Sequence, residues 1–216
     1  LLMSFIKSFS INTERESPFP FNISAVKFAG NIVIDSKVTI FAGDNGSGKS
    51  TLLESMALKL GIPLIGGHIQ NHPGFEAARI LYPYMEIEWQ RQTAKGFFFR
   101  AEDFSDFINS VENDRRKNDA DLSELKGIVD DSIISQMSES MYLLDEPEAA
   151  LSPIKQLSLI FLILEVLKSG NSQFIISTHS PILMGIPGAT IYEIQEEGMQ
   201  QVKYDETDHY RITKAF

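Results

Sequence analysis

The sequence predicts an α/β fold on a mostly parallel core sheet, with an N-terminal antiparallel β layer and an inserted, partly helical lobe. Three stretches predict it. Val38-Thr39-Ile40-Phe41-Ala42 is a short apolar, β-branched run of the kind a buried strand makes, and a glycine-rich loop carries it into an apolar-periodic segment from Thr51 to Leu60. Met141 to Asp145 is a second apolar run, followed by a helix that Ser152 opens as N-cap and Pro153 continues as first helical residue. Gln173 to Thr178 is a third. Buried strands alternating with crossover helices indicate a parallel sheet, because each return path must cover a sheet face.

Taken in order, Leu1 to Ile11 hold an apolar-rich run, which Ser17-Pro18-Phe19-Pro20-Phe21 ends, since proline fixes φ and lacks a donor. Ala25-Val26-Lys27-Phe28 and Ile32-Val33-Ile34 flank Gly30-Asn31 and read as a hairpin or a pair of short edge strands. With the first run they would form the antiparallel layer. The helix after the glycine-rich loop stops at Gly61-Ile62-Pro63. Between Gly66 and Pro83 turns dominate, and His68, Gln70 and His72 read as loop polar residues, because two histidines without a third ligand make a poor metal site. Tyr84 to Trp89 alternates and Gly96 to Arg100 is apolar on both faces, so each is a strand candidate. Ser105 to Arg116 and Asp121 to Met137 read as charged helices, with Phe104, Phe107, Ile108 and Val111 on one face of the first. Residues 62–137 therefore look like a lobe inserted into a single domain spanning 1–216. Thr190 to Gln195 and Met199 to Tyr204, joined at Glu197-Gly198, suggest a closing hairpin.

Composition bounds the function. The 216 residues carry 43% hydrophobic and 22% charged side chains, as a globular chain does, and no cysteine, which excludes disulfides and thiolate metal sites. The longest apolar run, Leu157 to Leu167, is broken by Ser158 and Glu165, short of the ~20 residues a span needs. No membrane span and no secretory signal are expected, which points to the cytoplasm. A formal charge of −10 argues against coating nucleic acid with the whole surface, and Arg115-Arg116-Lys117 sits among acidic residues as a solvated helix face would.

Gly43-Asp44-Asn45-Gly46-Ser47-Gly48-Lys49-Ser50, with Thr51 behind it, fits the phosphate-loop pattern GxxxxGK[ST]. Its glycines let successive backbone N–H groups turn toward an anion, and the helix that follows adds the partial positive charge of its N-terminus. Lys49 would reach the β- and γ-phosphates of a nucleoside triphosphate, and the Ser50 hydroxyl would ligate Mg²⁺. Asp145, ending its strand, is placed as the Mg²⁺-coordinating carboxylate, acting directly or through water. Glu146 is expected on the opposite side of that strand end, polarising an attacking water, and Glu148 is expected to be solvated. His179 follows the third strand at the same rim and could hydrogen-bond the γ-phosphate or the water. Phe19, Phe21 and Phe28 are candidates to stack on a purine base, although core packing is the expectation for each.

Together these motifs resemble a known family. The loop from Gly43 to Ser50, Tyr142-Leu143-Leu144-Asp145-Glu146-Pro147-Glu148 and Ser177-Thr178-His179-Ser180 look like the Walker A, Walker B and switch-histidine motifs of ABC-type ATPases. Ala149-Ala150-Leu151-Ser152-Pro153 resembles their D-loop, which contacts a partner subunit. The nearest resemblance is to the small stand-alone bacterial AAA/ABC-type ATPases. It implies a P-loop fold and Mg-dependent ATP hydrolysis by an ATP-induced head-to-tail homodimer, with Glu146 as general base and His179 as γ-phosphate sensor. A nucleotide-dependent switch or scaffold with slow or no hydrolysis is the alternative; a transporter subunit ranks lower. A nucleic-acid or other protein partner is implied by analogy alone. The family's signature loop, a Ser-x-Gly-Glu or Ser-Gly-Gly core ahead of Walker B, is missing: Ser135 to Ser140 runs into Met141 with no glycine after Gly127. Either capping in trans is absent, or a segment near 127–140 is missing from the sequence. The family's glutamine loop has three candidates, Gln70, Gln90 and Gln92.

Overall fold

The computed structural model describes residues 4–12, 18–64, 74–93, 95–101, 135 and 137–215, and within them two sheets carry the chain. The first half contributes β1 (Ile6–Ile11), α1 (Ser24–Lys27), β2 (Ile32–Val33), β3 (Val38–Gly43), α2 (Lys49–Leu60), α3 (Glu76–Leu81), β4 (Met85–Trp89) and β5 (Gly96–Arg100). The second contributes β6 (Met141–Asp145), α4 (Pro153–Ser169), β7 (Gln173–Thr178), α5 (Pro181–Met184), β8 (Thr190–Gln195), β9 (Gly198–Val202) and α6 (Asp208–Ala215). The larger sheet has the order β5-β6-β7-β3-β8-β9, parallel except for β9, which closes it as an antiparallel hairpin with β8. The smaller sheet is antiparallel, in the order β2-β1-β4.

Alternation along the buried strands divides the core into two layers. Phe41, Leu143 and Ile175 face α2 and the antiparallel sheet, packing with Leu52, Leu53, Met56, Phe9 and Met85. Ile40, Leu144, Phe174 and Ile176 face the other way, onto Leu159, Leu162, Ile163 and Val166 of α4. Each such side chain, taken fully out of water, contributes roughly 1.5–3 kcal/mol. The two sheets are tied together by a polar side chain. Gln173, wholly buried at the start of β7, accepts from the Phe5 and Ile6 N–H groups at 2.9 Å each and donates to the Ile34 carbonyl at 2.7 Å.

Three expectations change. Ala25 to Phe28 is not an edge strand: Ser24–Lys27 is a short helix, which buries both Ala25 and Val26, whereas a strand would send them to opposite faces. β4 takes the place in the antiparallel sheet expected for that segment. The closing hairpin turns at Glu196-Glu197, because Gln195 already pairs with Gly198. Of the segment 62–137, β4 belongs to the small sheet and β5 to the edge of the large one. The two charged helices, Arg115-Arg116-Lys117, His68, Gln70 and His72 lie outside the described residues.

The helix boundaries follow the expected chemistry. α2 ends at Gly61, whose φ of 67° places it in the left-handed region, and the Ile62 N–H returns to the Ala57 carbonyl at 3.0 Å. α4 opens with the Ser152 hydroxyl accepting from the Lys155 N–H. The parallel strands consequently deliver the C-terminal ends of β3, β6 and β7, with β5 beside them, to one rim.

Candidate active site

The loop from Gly43 to Ser50 leaves β3 at that rim. Gly43 pairs with Ile194, and a Cβ there would meet the Ile194 carbonyl oxygen at 2.6 Å, so the close approach of β3 and β8 requires glycine. Asp44, Asn45 and Gly46 are exposed, Ser47 and Gly48 half-buried. α1 braces the loop from behind, the Ala25 N–H donating to the Ser47 carbonyl at 2.9 Å. The Ser47 hydroxyl is buried without a hydrogen-bond partner among the described residues. Lys49 is 2% exposed; its Nζ donates to the Gly43 and Asp44 carbonyls at 2.8 and 2.9 Å and lies 3.4 Å from Glu146 Oε1. Ser50, next on α2, hydrogen-bonds the Asp145 carboxylate. Thr51 is half-buried one residue further on, its carbonyl accepting from Ser55.

Asp145 is buried at the end of β6 and accepts a short hydrogen bond from the Ser177 hydroxyl of β7. Burial pushes its carboxyl up from the ordinary value; the hydrogen bonds from Ser177 and Ser50 oppose the shift. Two hard oxygen donors meeting here, one a buried carboxylate, form a donor set that suits Mg²⁺. Among the described residues no group of three or more His, Cys, Asp or Glu side chains could hold a metal by itself, so phosphate or water would complete such a site.

Glu146 departs from its expected place. Its φ of 46° is left-handed, which breaks the strand's alternation and turns the carboxylate to Lys49, on the phosphate-loop side. Glu148 departs as well. Instead of being solvated it is buried in the turn Pro147–Ala150, where Oε1 accepts the His179 backbone N–H at 2.7 Å. The His179 Nδ1 lies 3.2 Å from the same oxygen, off hydrogen-bonding geometry, and the imidazole is 41% exposed at the rim. Behind it the Ser180 hydroxyl donates to Gln156, which donates to the Leu151 carbonyl, so the histidine turn is tied to the segment after β6.

Sequence reading missed further residues here. Glu54, one helical turn after Ser50, is 5% exposed, and its carboxyl is pushed up to about 8, chiefly by burial and then by the Asp145 charge, with Arg100 opposing. The spacing from Ser50 was the available signal, since residues four apart share a helix face. Beside Asp145 in the sheet stands Arg100, not a glutamine. Gln90 accepts from Ser4, Gln92 is exposed after β4, and Gln70 lies outside the described residues. Of the purine-stacking candidates, Phe21 packs on Tyr84 at 5.1 Å, Phe28 is half-buried with Lys27 over its ring, and Phe19 is 63% exposed. Residues 137–140 enter the foot of β6, the end of the sheet opposite the phosphate loop, with the Met137 carbonyl accepting from Tyr142 and Ser172.

A family model described as "AAA domain, putative AbiEii toxin, Type IV TA system" matches residues 131–185, the stretch holding Asp145, Glu146 and His179. A solved structure, "an inward-facing conformation of a putative metal-chelate type ABC transporter", aligns over 99% of this chain and 88% of its own, at 15% identity and a TM-score of 0.50. The structure of cbiO1 from Clostridium perfringens, part of the ABC transporter complex cbiONQ, aligns over 98% of this chain and 94% of its own, at 18% identity and a TM-score of 0.52. The chain has the fold of a P-loop ATPase of the AAA/ABC type. No curated protein matches it. No helix among the described residues is long and apolar enough to cross a membrane.

Proposed function

We propose that the protein is a cytoplasmic Mg-dependent ATPase of the ABC type, acting as an ATP-induced head-to-tail homodimer. The observation that carries the reading is the position of Glu146. Its carboxylate lies 3.4 Å from the Nζ of Lys49, the one phosphate-loop side chain that also holds two loop carbonyls. Lys49 is the residue whose charge would follow the β- and γ-phosphates, so its partner stands where a water attacking the γ-phosphate would need a base. On ATP binding the ion pair gives way to phosphate contacts, which frees the Glu146 carboxylate for that water. His179, its backbone fixed by Glu148, presents an exposed imidazole as γ-phosphate sensor.

Gly46, Ser47 and Gly48 would supply backbone N–H groups to the phosphates, with Gly43, Asn45 and Thr51 completing the loop and first helical turn. Ser50 and Asp145 would hold Mg²⁺. Bound there, Mg²⁺ neutralises charge on the phosphate oxygens. Residues 149–153 would face the second protomer of the dimer.

One observation favours a slower, switch-like role. Residues 137–140 are built into the foot of β6, and no glycine lies between Gly127 and Met141, so this stretch does not read as a cap over a partner's nucleotide. Measuring molecular mass with and without Mg-ATP, beside phosphate release, separates the two. A mass that doubles with ATP while phosphate accumulates supports the ATPase; doubling without phosphate indicates the switch. No change in mass and no phosphate would contradict both.

A further inference from the structure

We propose that Arg100 is a second phosphate-binding cation of this site, held in position by Glu54 and reaching the terminal phosphate of a bound nucleotide. The inference rests on the ATP reading above. Arg100 is the last residue of β5 and pairs in register with Asp145, which pairs with Ser177, which pairs with Phe41. Residues in one register row of a parallel sheet send their side chains to the same face, here the face covered by α2. The Arg100 guanidinium therefore lies on the side of the phosphate loop, one strand beyond Asp145.

Two contacts hold it there. Glu54 of α2 stands 3.9 Å from Arg100 Nη2, and the ring of Phe75 lies 5.3 Å from the guanidinium carbon. Neither uses up the fork of N–H donors, and among the described residues the guanidinium makes no hydrogen bond. Lys49 differs: it is sealed at 2% exposure and already committed to two carbonyls and Glu146. Arg100 is 25% exposed, open enough to meet a ligand.

The charge balance of the rim makes a second cation useful. Glu146 stands against Lys49 and Asp145 beside Arg100, and a triphosphate adds more negative charge than one Mg²⁺ removes. A planar guanidinium suits phosphate oxygens, which it can engage through two N–H groups at once. Arg100 stands on the far side of Asp145 from the phosphate loop, so the terminal phosphate of a nucleotide seated in the loop comes nearest to it. Contact with that group alone would let Arg100 distinguish ATP from ADP. Glu54 is a positioning residue: it acts through the guanidinium.

The test is calorimetric titration of the full chain with Mg-ADP and with a Mg-bound non-hydrolysable ATP analogue, in wild type, Arg100→Gln, Arg100→Lys, Glu54→Gln and Lys49→Ala, each checked by its melting temperature without nucleotide. Arg100→Gln is expected to weaken the analogue roughly 10- to 100-fold, the worth of a charge-assisted hydrogen bond, with ADP changed less than about 3-fold. Arg100→Lys recovers part of the preference. Glu54→Gln loses part of it, and a protein carrying both Arg100→Gln and Glu54→Gln binds the analogue no more weakly than Arg100→Gln alone. A wild-type ATP-to-ADP preference in a folded Arg100→Gln protein, or equal loss of both nucleotides, overturns the proposal while Lys49→Ala still abolishes binding. Wild-type binding by Lys49→Ala instead overturns the ATP reading itself, and the proposal with it.

Discussion

Glu148 is the side chain whose role changed most between sequence and structure, and truncating it gives a sharp test. Its buried carboxylate accepts the His179 backbone N–H at 2.7 Å, a charge-assisted bond in a side chain only 5% exposed. Glu148→Ala leaves that N–H without its acceptor, at a cost of about 1.5–3 kcal/mol. For a chain of this size that lowers the melting temperature by roughly 3–12 °C. The larger effect is expected on turnover. A shift of about 1 Å at a group contacting the reacting phosphate costs on the order of 100-fold, so kcat should fall roughly 10- to 100-fold with ATP affinity little changed. Glu148→Gln, which keeps an acceptor oxygen, should recover most of the stability. The assay is steady-state phosphate release on Glu148→Ala, His179→Ala and the double variant. If Glu148 acts through the histidine, the double variant is no slower than His179→Ala, a non-additivity expected of coupled residues. Multiplicative losses, or wild-type turnover in a folded Glu148→Ala protein, would refute the reasoning.

Two further predictions follow from the packing. Gly43→Ala should destabilise the fold and abolish nucleotide binding together, because the added Cβ would sit 2.6 Å from the Ile194 carbonyl oxygen and push β3 from β8 at the root of the loop; thermal melting and ATP titration measure both. Gln173→Leu should cost about 3 kcal/mol or more in denaturant unfolding, since it strips the Phe5 and Ile6 N–H groups of their acceptor and unties the two sheets, and a loss under about 1 kcal/mol would contradict that role.

The local features were legible in the sequence and the long-range ones were not. The loop, its flanking strand and helix, and the apolar runs ending at Asp145 and Thr178 declare themselves through period, glycine spacing and caps, all within a few residues. The partner of β1 did not, because Met85–Trp89 reaches it across most of the first half of the chain, and strand pairing leaves no local mark on the sequence. The fate of Ala25-Val26 turned on packing against the phosphate loop, which overrode a β-like pair of residues. At the site, Asp145 was readable from four apolar residues ahead of it. The side of the strand end that Glu146 faces was not, since it depends on one left-handed backbone conformation. Glu148, Glu54 and Arg100 read as surface charges in one dimension. They gain meaning only when the register of β5, β6 and β7 brings them to one rim.

The central claim is that Glu146, beside Lys49, activates water against a phosphate held by the loop. It is tested most directly by comparing Glu146→Gln with wild type in parallel Mg-ATP binding and steady-state phosphate release. The account predicts that the variant binds ATP at least as tightly as wild type, because the Lys49 ion pair no longer competes with the nucleotide, while turnover falls by roughly 100-fold or more. Phosphate release at the wild-type rate in a variant that still binds ATP would contradict it.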